Sequence, residues 1–219
     1  FTVCADGIQT TCRILLQAEP KLLAENRCRY IVEKQQYQGE KPEGLDGAYL
    51  IYDTEEEHTY YTARNDDNAG RERVGMGLLI TTWLQGRRAS WNLGEKQESR
   101  DGRESRDGQE SRDRQESRDR QESRNGQESR DGRENREREK KLAEEVEKSQ
   151  QRYMDFVLRE LVDGQTGEVF NDFGRDNSYE RLYNMPWYAT LMVEQYKLTG
   201  EKEYLRIACR ILDTFYEKG

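Results

Sequence analysis

Apolar residues recur at helical intervals over several stretches of this chain and alternate with polar ones over two shorter stretches. The alternation comes first. FTVCADGIQTTCRILL switches between apolar and polar positions around Asp6-Gly7, which predicts a β-hairpin. Pro20 then stands where a helix can begin, because its missing N–H is not needed in a first turn. The following LLAENRCRYIVEKQQY (22–37) places Leu23, Arg27, Tyr30 and Ile31 on roughly one face. After Gly39 and Pro42, GAYLIYDTEEEHTYYTAR returns to β-rich aromatic halves around a charged turn, so a second, shorter hairpin is expected.

Helical spacing governs the rest. RNDDNAGRERVGMG (64–77) is a polar loop leading into the apolar run LLITTWL (78–84), with Met76, Leu79 and Trp83 read as core. In LAEEVEKSQQRYMDFVLREL, Leu142, Val146, Tyr153, Val157 and Leu161 share a stripe, and Asp163-Gly164 ends it. A helix WYATLMVEQYKL follows Pro186 and closes at Gly200. The last helix, EYLRIACRILDTFYE, carries Tyr204, Ala208, Ile211 and Phe215 on one stripe, with Leu205, Leu212 and Tyr216 beside it. The short turn between these two makes them antiparallel neighbours. DGQTGEVFNDFGRDNSYERLYNMP, before Pro186, is a connection of about two dozen residues; structureless loops of that length are uncommon in compact domains and are often functional.

Composition changes this picture in one place. Hydrophobic residues are 33% of the chain and charged residues 37%, against roughly 45–50% and 25% in ordinary globular domains. The excess is concentrated between about 95 and 141, where residues 97–138 form seven imperfect hexads of the QESRDG type without an aliphatic or aromatic residue. They hold 12 Arg and 13 Asp or Glu. Such a segment has no apolar area to offset its ordering entropy, so it is expected to be disordered or transiently helical, firming into helix after about Arg136. It reads as a repeat expanded inside a surface loop, leaving the two flanks as one interrupted fold. An interaction tether, of use to a binding scaffold, is the alternative.

A formal net charge of −8 offers no attraction to a phosphate backbone, so no nucleic-acid partner is expected. No apolar run approaches the ~20 residues of a membrane span, and no membrane association is expected. The chain opens on Phe1, which reads as a piece of something longer. Cys4, Cys12, Cys28 and Cys209 form no CxxC pair, and His58 is the lone histidine, so no metal site and no cofactor are expected. Buried free thiols fit a reducing compartment, hence a cytoplasmic location. Neither a GxSxG nor a histidine outside the TEEEH turn supports a serine triad.

MPWYATLMVEQYKLTGEKEYLRIACRILDTFYEKG resembles a helical hairpin of the six-hairpin glycosidase superfamily, the (α/α)6 toroids of carbohydrate-active enzymes. LVDGQTGEVFNDFG is similar to a cavity-side loop of such a barrel, and RNDDNAGRERVGMG before an apolar helix fits the same scheme. The resemblance implies a mainly α fold, antiparallel helical hairpins of a partial (α/α)6 toroid, with short β-hairpins near the N-terminus. Residues 1–18 would end an upstream β-domain, 19–93 begin the toroid, 94–138 form the charged insertion and 139–219 continue the toroid. The implied activity is glycoside hydrolysis on a carbohydrate substrate; a non-catalytic helical-repeat scaffold is the competing class.

Glycoside cleavage uses two carboxyl groups, one as acid and one as base or nucleophile, and the acid belongs in a partly desolvated cavity. Asp66, Asp67 and Glu72 in the polar loop and Asp172 in the long connection are the candidates, with Glu180 weaker. Each has a structural alternative: Asp66 or Asn68 caps a helix starting near Gly70, Glu72 complements its first turn, and Asp172 closes a turn within VFNDFG. Arg64 and Asn65 are candidate substrate contacts. Arg71 and Arg73 more commonly brace loops through carboxylates. Tyr183, Trp187 and Tyr188 offer flat faces for sugar rings beside the long loop, or else pack between helices. Gly75 and Gly77 cost roughly 1 kcal/mol each relative to Ala inside a helix, which suggests a close approach by a neighbour.

Overall fold

Helices carry the architecture. A computed structural model describes residues 2–5, 8–11, 18–60, 74–104, 130–178 and 181–219. Strands β1 (Thr2–Ala5) and β2 (Ile8–Thr11) pair antiparallel with Ala5 opposite Ile8, as the alternation predicts. Helix α1 (Pro20–Tyr30) starts on its proline and widens into a π-helical turn, Ile31–Gln35. Strands β3 (Ile51–Asp53) and β4 (His58–Tyr60) form the second hairpin. Its turn is closed by Asp53, whose Oδ1 accepts the N–H groups of Glu55 and Glu56 at 2.8 and 3.0 Å.

Next come α2 (Val74–Glu104) and α3 (Arg130–Phe156), the latter passing into a second π-helical turn, Val157–Leu161. Both helices run into the charged hexads, and α3 begins at Arg130 rather than near Arg136. Once a helix is nucleated by a packed segment, each further residue adds a hydrogen bond without a new nucleation cost, so a single glycine such as Gly132 does not stop it. The middle of the repeat, residues 105–129, lies outside the described residues. Helix α4 (Asn184–Thr199) ends at Gly200, which takes the left-handed conformation (φ 79°) and sends its N–H to the Tyr196 carbonyl at 2.7 Å. Helix α5 (Lys202–Lys218) then returns antiparallel along α4.

The structure contains an internal repeat that hydrophobic spacing alone did not reveal. In each copy a helix ends in a π-helical turn and the chain folds straight back through a narrow hairpin. Gln36 bridges Tyr49 in the first copy and Val162 bridges Val169 in the second. The backbone bonds correspond one for one. Gln36 N–H reaches Ile31 O (3.0 Å) as Val162 reaches Val157 (2.8 Å); Tyr37 reaches Ala48 as Asp163 reaches Glu168; Leu50 reaches Gln35 as Phe170 reaches Leu161. Each hairpin carries a G-x-x-G tip, Gly44-Leu45-Asp46-Gly47 and Gly164-Gln165-Thr166-Gly167.

The second glycine of each tip explains the motif. Gly47 (φ 90°) and Gly167 (φ 79°) both need the left-handed region, and both lie flat on the backbone of a later helix. A Cβ on Gly47 would stand 2.5 Å from the Arg152 carbonyl oxygen of α3; one on Gly167 would stand 2.3 Å from that of Arg210 in α5. Arg210 also donates to Gly164 O at 2.5 Å and Thr214 Oγ1 to Thr166 O at 2.8 Å. The hairpin of one unit is thus clamped to the helix of the next.

Between these units lies the core. The Tyr49 and Tyr153 rings stack with centroids 4.3 Å apart, and Gly77 leaves room for them, since a Cβ there would fall 2.3 Å from Tyr153 Cε1. Gly77 therefore fits the expected close approach, whereas Gly75 faces open space. A polar seam runs through the apolar packing: Tyr49 Oη pairs with Ser149 Oγ at 3.0 Å, Gln150 Nε2 donates to Thr81 Oγ1 at 2.6 Å, and Gln36 Nε2 donates to Ser149 O at 2.8 Å. Met76 and Leu79 are partly buried against this core and Trp83 is buried. Of the described cysteines, Cys28 is buried but Cys209 is exposed, contrary to expectation, because it sits on the side of α5 turned away from the core. No helix among the described residues is long and apolar enough to cross a membrane.

Candidate functional site

The connection from Val162 to Tyr183 is not the structureless loop its length suggested. After the second G-x-x-G hairpin it makes another tight reversal, in which Asp172 and Asp176 exchange backbone bonds at 3.1 and 3.3 Å. Asp172 Oδ1 accepts the Phe173 N–H at 2.9 Å, and Gly174 takes the left-handed conformation that completes the turn. Glu160, from the preceding π-helical turn, anchors this reversal: its Oε2 accepts the Gly174 N–H at 2.7 Å while Oε1 pairs with Arg159 Nε at 2.7 Å. Arg159 in turn donates to the carbonyls of Gly44 and Asp46, tying the two repeated hairpins together.

One more bond joins this turn to α4. Asn184, the first residue of the helix, donates from Nδ2 to Asn171 Oδ1 at 3.2 Å, and both side chains are buried. Nδ2 of Asn171 and Oδ1 of Asn184 are buried and find no partner among the described residues. Directly beside the pair, Tyr183 and Trp187 stand 52% and 49% exposed, ring centroids 6.0 Å apart and edge to face. Exposure of two large aromatics side by side is unusual, since each would remove substantial apolar area from water if it turned inward. Pro186 lies between them in the first turn of the helix, where its ring needs no N–H partner.

The expected site residues divide into three groups. Tyr183 and Trp187 share one surface, and Asp172 lies in the turn bonded to their helix, 7% exposed and engaged in holding that turn. Tyr188 belongs elsewhere: it is 1% exposed and packs in the core, one position round the helix from Trp187. Arg64, Asn65, Asp66, Asp67 and Glu72, with Arg71, Arg73 and Glu180, lie outside the described residues. Asn171, Asn184 and Glu160 were not singled out by sequence reasoning. An asparagine opening a helix and another preceding an aspartate gave a usable signal, but it reads as capping chemistry until the two are seen bonded to each other.

Electrostatics around the turn follow from its hydrogen bonds. The Asp163 carboxyl is held below the ordinary aspartate range, first by the Gln165 N–H, then by the Thr166 N–H and the Arg175 guanidinium. In the core, burial pushes the Cys28 thiol up to about 12 and raises the Tyr153 phenol well above its usual value. Among the described residues no group of three or more His, Cys, Asp and Glu side chains is placed to hold a metal ion.

No protein-family model matches the chain, and no curated protein does. Its structure is similar to the solved structure of "Polysaccharide Lyase BACCELL_00875", with a TM-score of 0.57 at 20% identity over 93% of this chain. The match covers 22% of that protein, so the chain spans about a fifth of its length. At this identity the likeness is one of fold. The chain is a mainly α protein of antiparallel helical hairpins, an architecture consistent with part of a helical toroid, and its fold is similar to that of the solved polysaccharide lyase.

Proposed function

We propose that this chain forms part of an enzyme that cleaves polysaccharide, with a sugar seat at the start of α4. The exposed, edge-packed pair of Tyr183 and Trp187 carries the reading. Sugar rings present C–H faces that pack on flat apolar surfaces, and two rings set at an angle contact two successive faces of a chain. The Asn171–Asn184 bond and the Glu160 anchor fix the turn that precedes α4, so the backbone carrying the pair is held in place before binding. A likeness of fold to a polysaccharide lyase supports the same substrate class.

Two bond-breaking chemistries are compatible with that seat, each with its own support. Hydrolysis by paired carboxylates is favoured by the acidic candidates, Asp172 in the turn and Asp66 or Asp67 in the polar loop, one acting as acid and the other as base or nucleophile. Elimination, the reaction class of a polysaccharide lyase, is favoured by the likeness of fold. The products separate them. A hydrolase releases a new reducing end with no new chromophore, whereas a lyase also leaves an unsaturated sugar that absorbs in the ultraviolet.

The test is to incubate the longest polypeptide its source encodes with acidic and neutral polysaccharides, following both signals. Asp66→Asn, Asp67→Asn and Asp172→Asn run alongside. New reducing ends lost in one of these variants with sugar binding retained would support the hydrolase. Ultraviolet-absorbing products unaffected by all three would place the chemistry elsewhere. No cleavage of any polymer, with no binding, would overturn the proposal and favour a non-catalytic scaffold.

A further inference from the structure

We infer, on the basis of the aromatic seat proposed above, that the seat continues along the groove between α2 and α4 to a polar rung of Gln85, Glu194 and Lys197, which binds hydroxyls of a sugar further along the same polymer. Two hydrogen bonds define the groove. Gln85 Nε2 of α2 donates to the Glu194 carbonyl of α4 at 2.8 Å, and Arg88 Nη1 donates to the Leu198 carbonyl at 2.6 Å. Positions advance together on the two helices, so α2 and α4 lie side by side and parallel. Residues four and seven apart share one face of a helix. Tyr183, Trp187 and Glu194 have that spacing, and the Gln85 bond places their shared face along the border with α2. The exposed aromatics and Glu194 thus stand in one row. Seven residues separate Trp187 from Glu194, a rise of about 10 Å, more than one sugar ring spans. On the α2 side Thr82, one turn before Gln85, is small and exposed, so that wall of the groove is low.

The rung supplies what the aromatics lack. Glu194 Oε2 accepts from Gln85 Nε2 at 3.1 Å, and Oε1 accepts from Lys197 Nζ at 2.6 Å. The Lys197 hydrogen bond, aided by that from Gln85, holds the Glu194 carboxyl below the ordinary glutamate range, so it is an ionised acceptor at neutral pH. A carboxylate offers about four lone-pair positions and an ammonium three donors, and the described partners use only part of each. The Glu194 side chain is 21% exposed and that of Lys197 55%, which leaves the remaining positions open to a ligand. Neighbouring hydroxyls on a sugar ring each donate one hydrogen bond to such a carboxylate, and their oxygens accept from the ammonium. Bonds of this kind, with one ionised partner, are stronger than neutral ones. Fastening α2 to α4 does not require the charge, because Gln85 already bonds the Glu194 backbone carbonyl. The ligand class is a polymer with free adjacent hydroxyls, long enough to reach from the aromatic pair to the rung.

Affinity electrophoresis of the chain through gels cast with hydroxyethyl cellulose, xylan or polygalacturonate tests the rung. The variants are Glu194→Gln, Lys197→Met and Trp187→Ala, with Glu203→Gln, another ion-paired carboxylate but on α5, as the control. Glu194→Gln keeps an oxygen for Gln85, so its melting temperature should stay within about 2 °C of the parent protein. Its binding should nevertheless weaken about five- to ten-fold, and that of Lys197→Met about three-fold. Glu203→Gln should bind as the parent does. Binding lost in Trp187→Ala but retained in both Glu194→Gln and Lys197→Met would overturn the rung and leave the aromatic seat standing. A Glu194→Gln protein that loses stability in step with binding would also overturn it, by making the rung a fastening between helices. No retardation of the parent protein in any gel would remove the seat and the rung together.

Discussion

Replacing Gly167 by alanine tests the hairpin clamp in isolation. Two penalties are involved. The left-handed backbone at φ 79° costs a residue with a Cβ about 1–2 kcal/mol. Against this, alanine restricts the unfolded chain and returns about 0.4–1 kcal/mol. A glycine whose Cβ meets nothing should therefore lose about 1 kcal/mol or less. Gly174 is that control, with φ 71° and no heavy atom within 4 Å of a built Cβ. Gly167 differs because its Cβ would lie 2.3 Å from the Arg210 carbonyl, which is backbone and has no rotamer to yield. The tip must lift off α5, weakening the Arg210–Gly164 and Thr214–Thr166 hydrogen bonds and the packing of Ile207 on Gly164. At about 1 kcal/mol per hydrogen bond the total reaches roughly 3–4 kcal/mol. For a chain of this length that is a fall in melting temperature of about 6–16 °C, against about 2–4 °C for Gly174→Ala. Thermal unfolding followed by far-ultraviolet circular dichroism measures both, and Gly47→Ala should behave like Gly167→Ala. Equal losses at Gly167 and Gly174 would refute the clamp.

Other expectations follow from buried polar groups. Tyr49→Phe removes the phenol bonded to Ser149 and should cost about 1 kcal/mol in urea unfolding. Tyr153→Phe removes a buried hydroxyl without a hydrogen-bond partner among the described residues, so it should be neutral or slightly stabilising; a loss above about 1 kcal/mol would mean that the hydroxyl is bonded. Asp163 titrates below its unfolded value, so its contribution is present above roughly pH 3.9 and disappears as the pH falls through the folded value. Asp163→Asn should accordingly lower the urea midpoint at neutral pH and converge on the parent protein in acid; a difference independent of pH would contradict that origin. The Cys28 thiol runs the other way: raised from 9.0 to about 12, it favours the fold fully below 9.0 and ceases to do so as the pH rises toward 12, an alkaline loss that Cys28→Ala should reduce.

Much of the fold was legible because its elements obey periodicity. The helical stripe through Leu142, Val146 and Tyr153, the Gly200 stop and the hairpin around TEEEH all rest on local rules that the structure follows. The repeat was harder to see, because a 42-residue run of charged hexads lies between its copies and the G-x-x-G tips share only their glycines. Gly47 and Gly167 are required by contacts with Arg152 and Arg210, and no local pattern announces a contact made so far along the chain. The candidate site divides similarly. Tyr183 and Trp187 were found from their place beside a long loop. Tyr188 was grouped with them although adjacent helical positions point about 100° apart, which is enough to send it into the core. Asn171 and Asn184 gained meaning only as a bonded pair.

In the proposed seat, the exposed aromatics at the start of α4, and not apolar surface in general, would bind polysaccharide. Affinity electrophoresis through gels containing each polymer tests it with three variants. Trp187→Ala and Tyr183→Ala should each weaken binding by about five-fold, near 1 kcal/mol, without altering thermal stability. Tyr216→Ala, equally aromatic and more exposed but on α5, should migrate as the parent protein does. Retardation that survives loss of both Trp187 and Tyr183, or that disappears with Tyr216, would contradict the account.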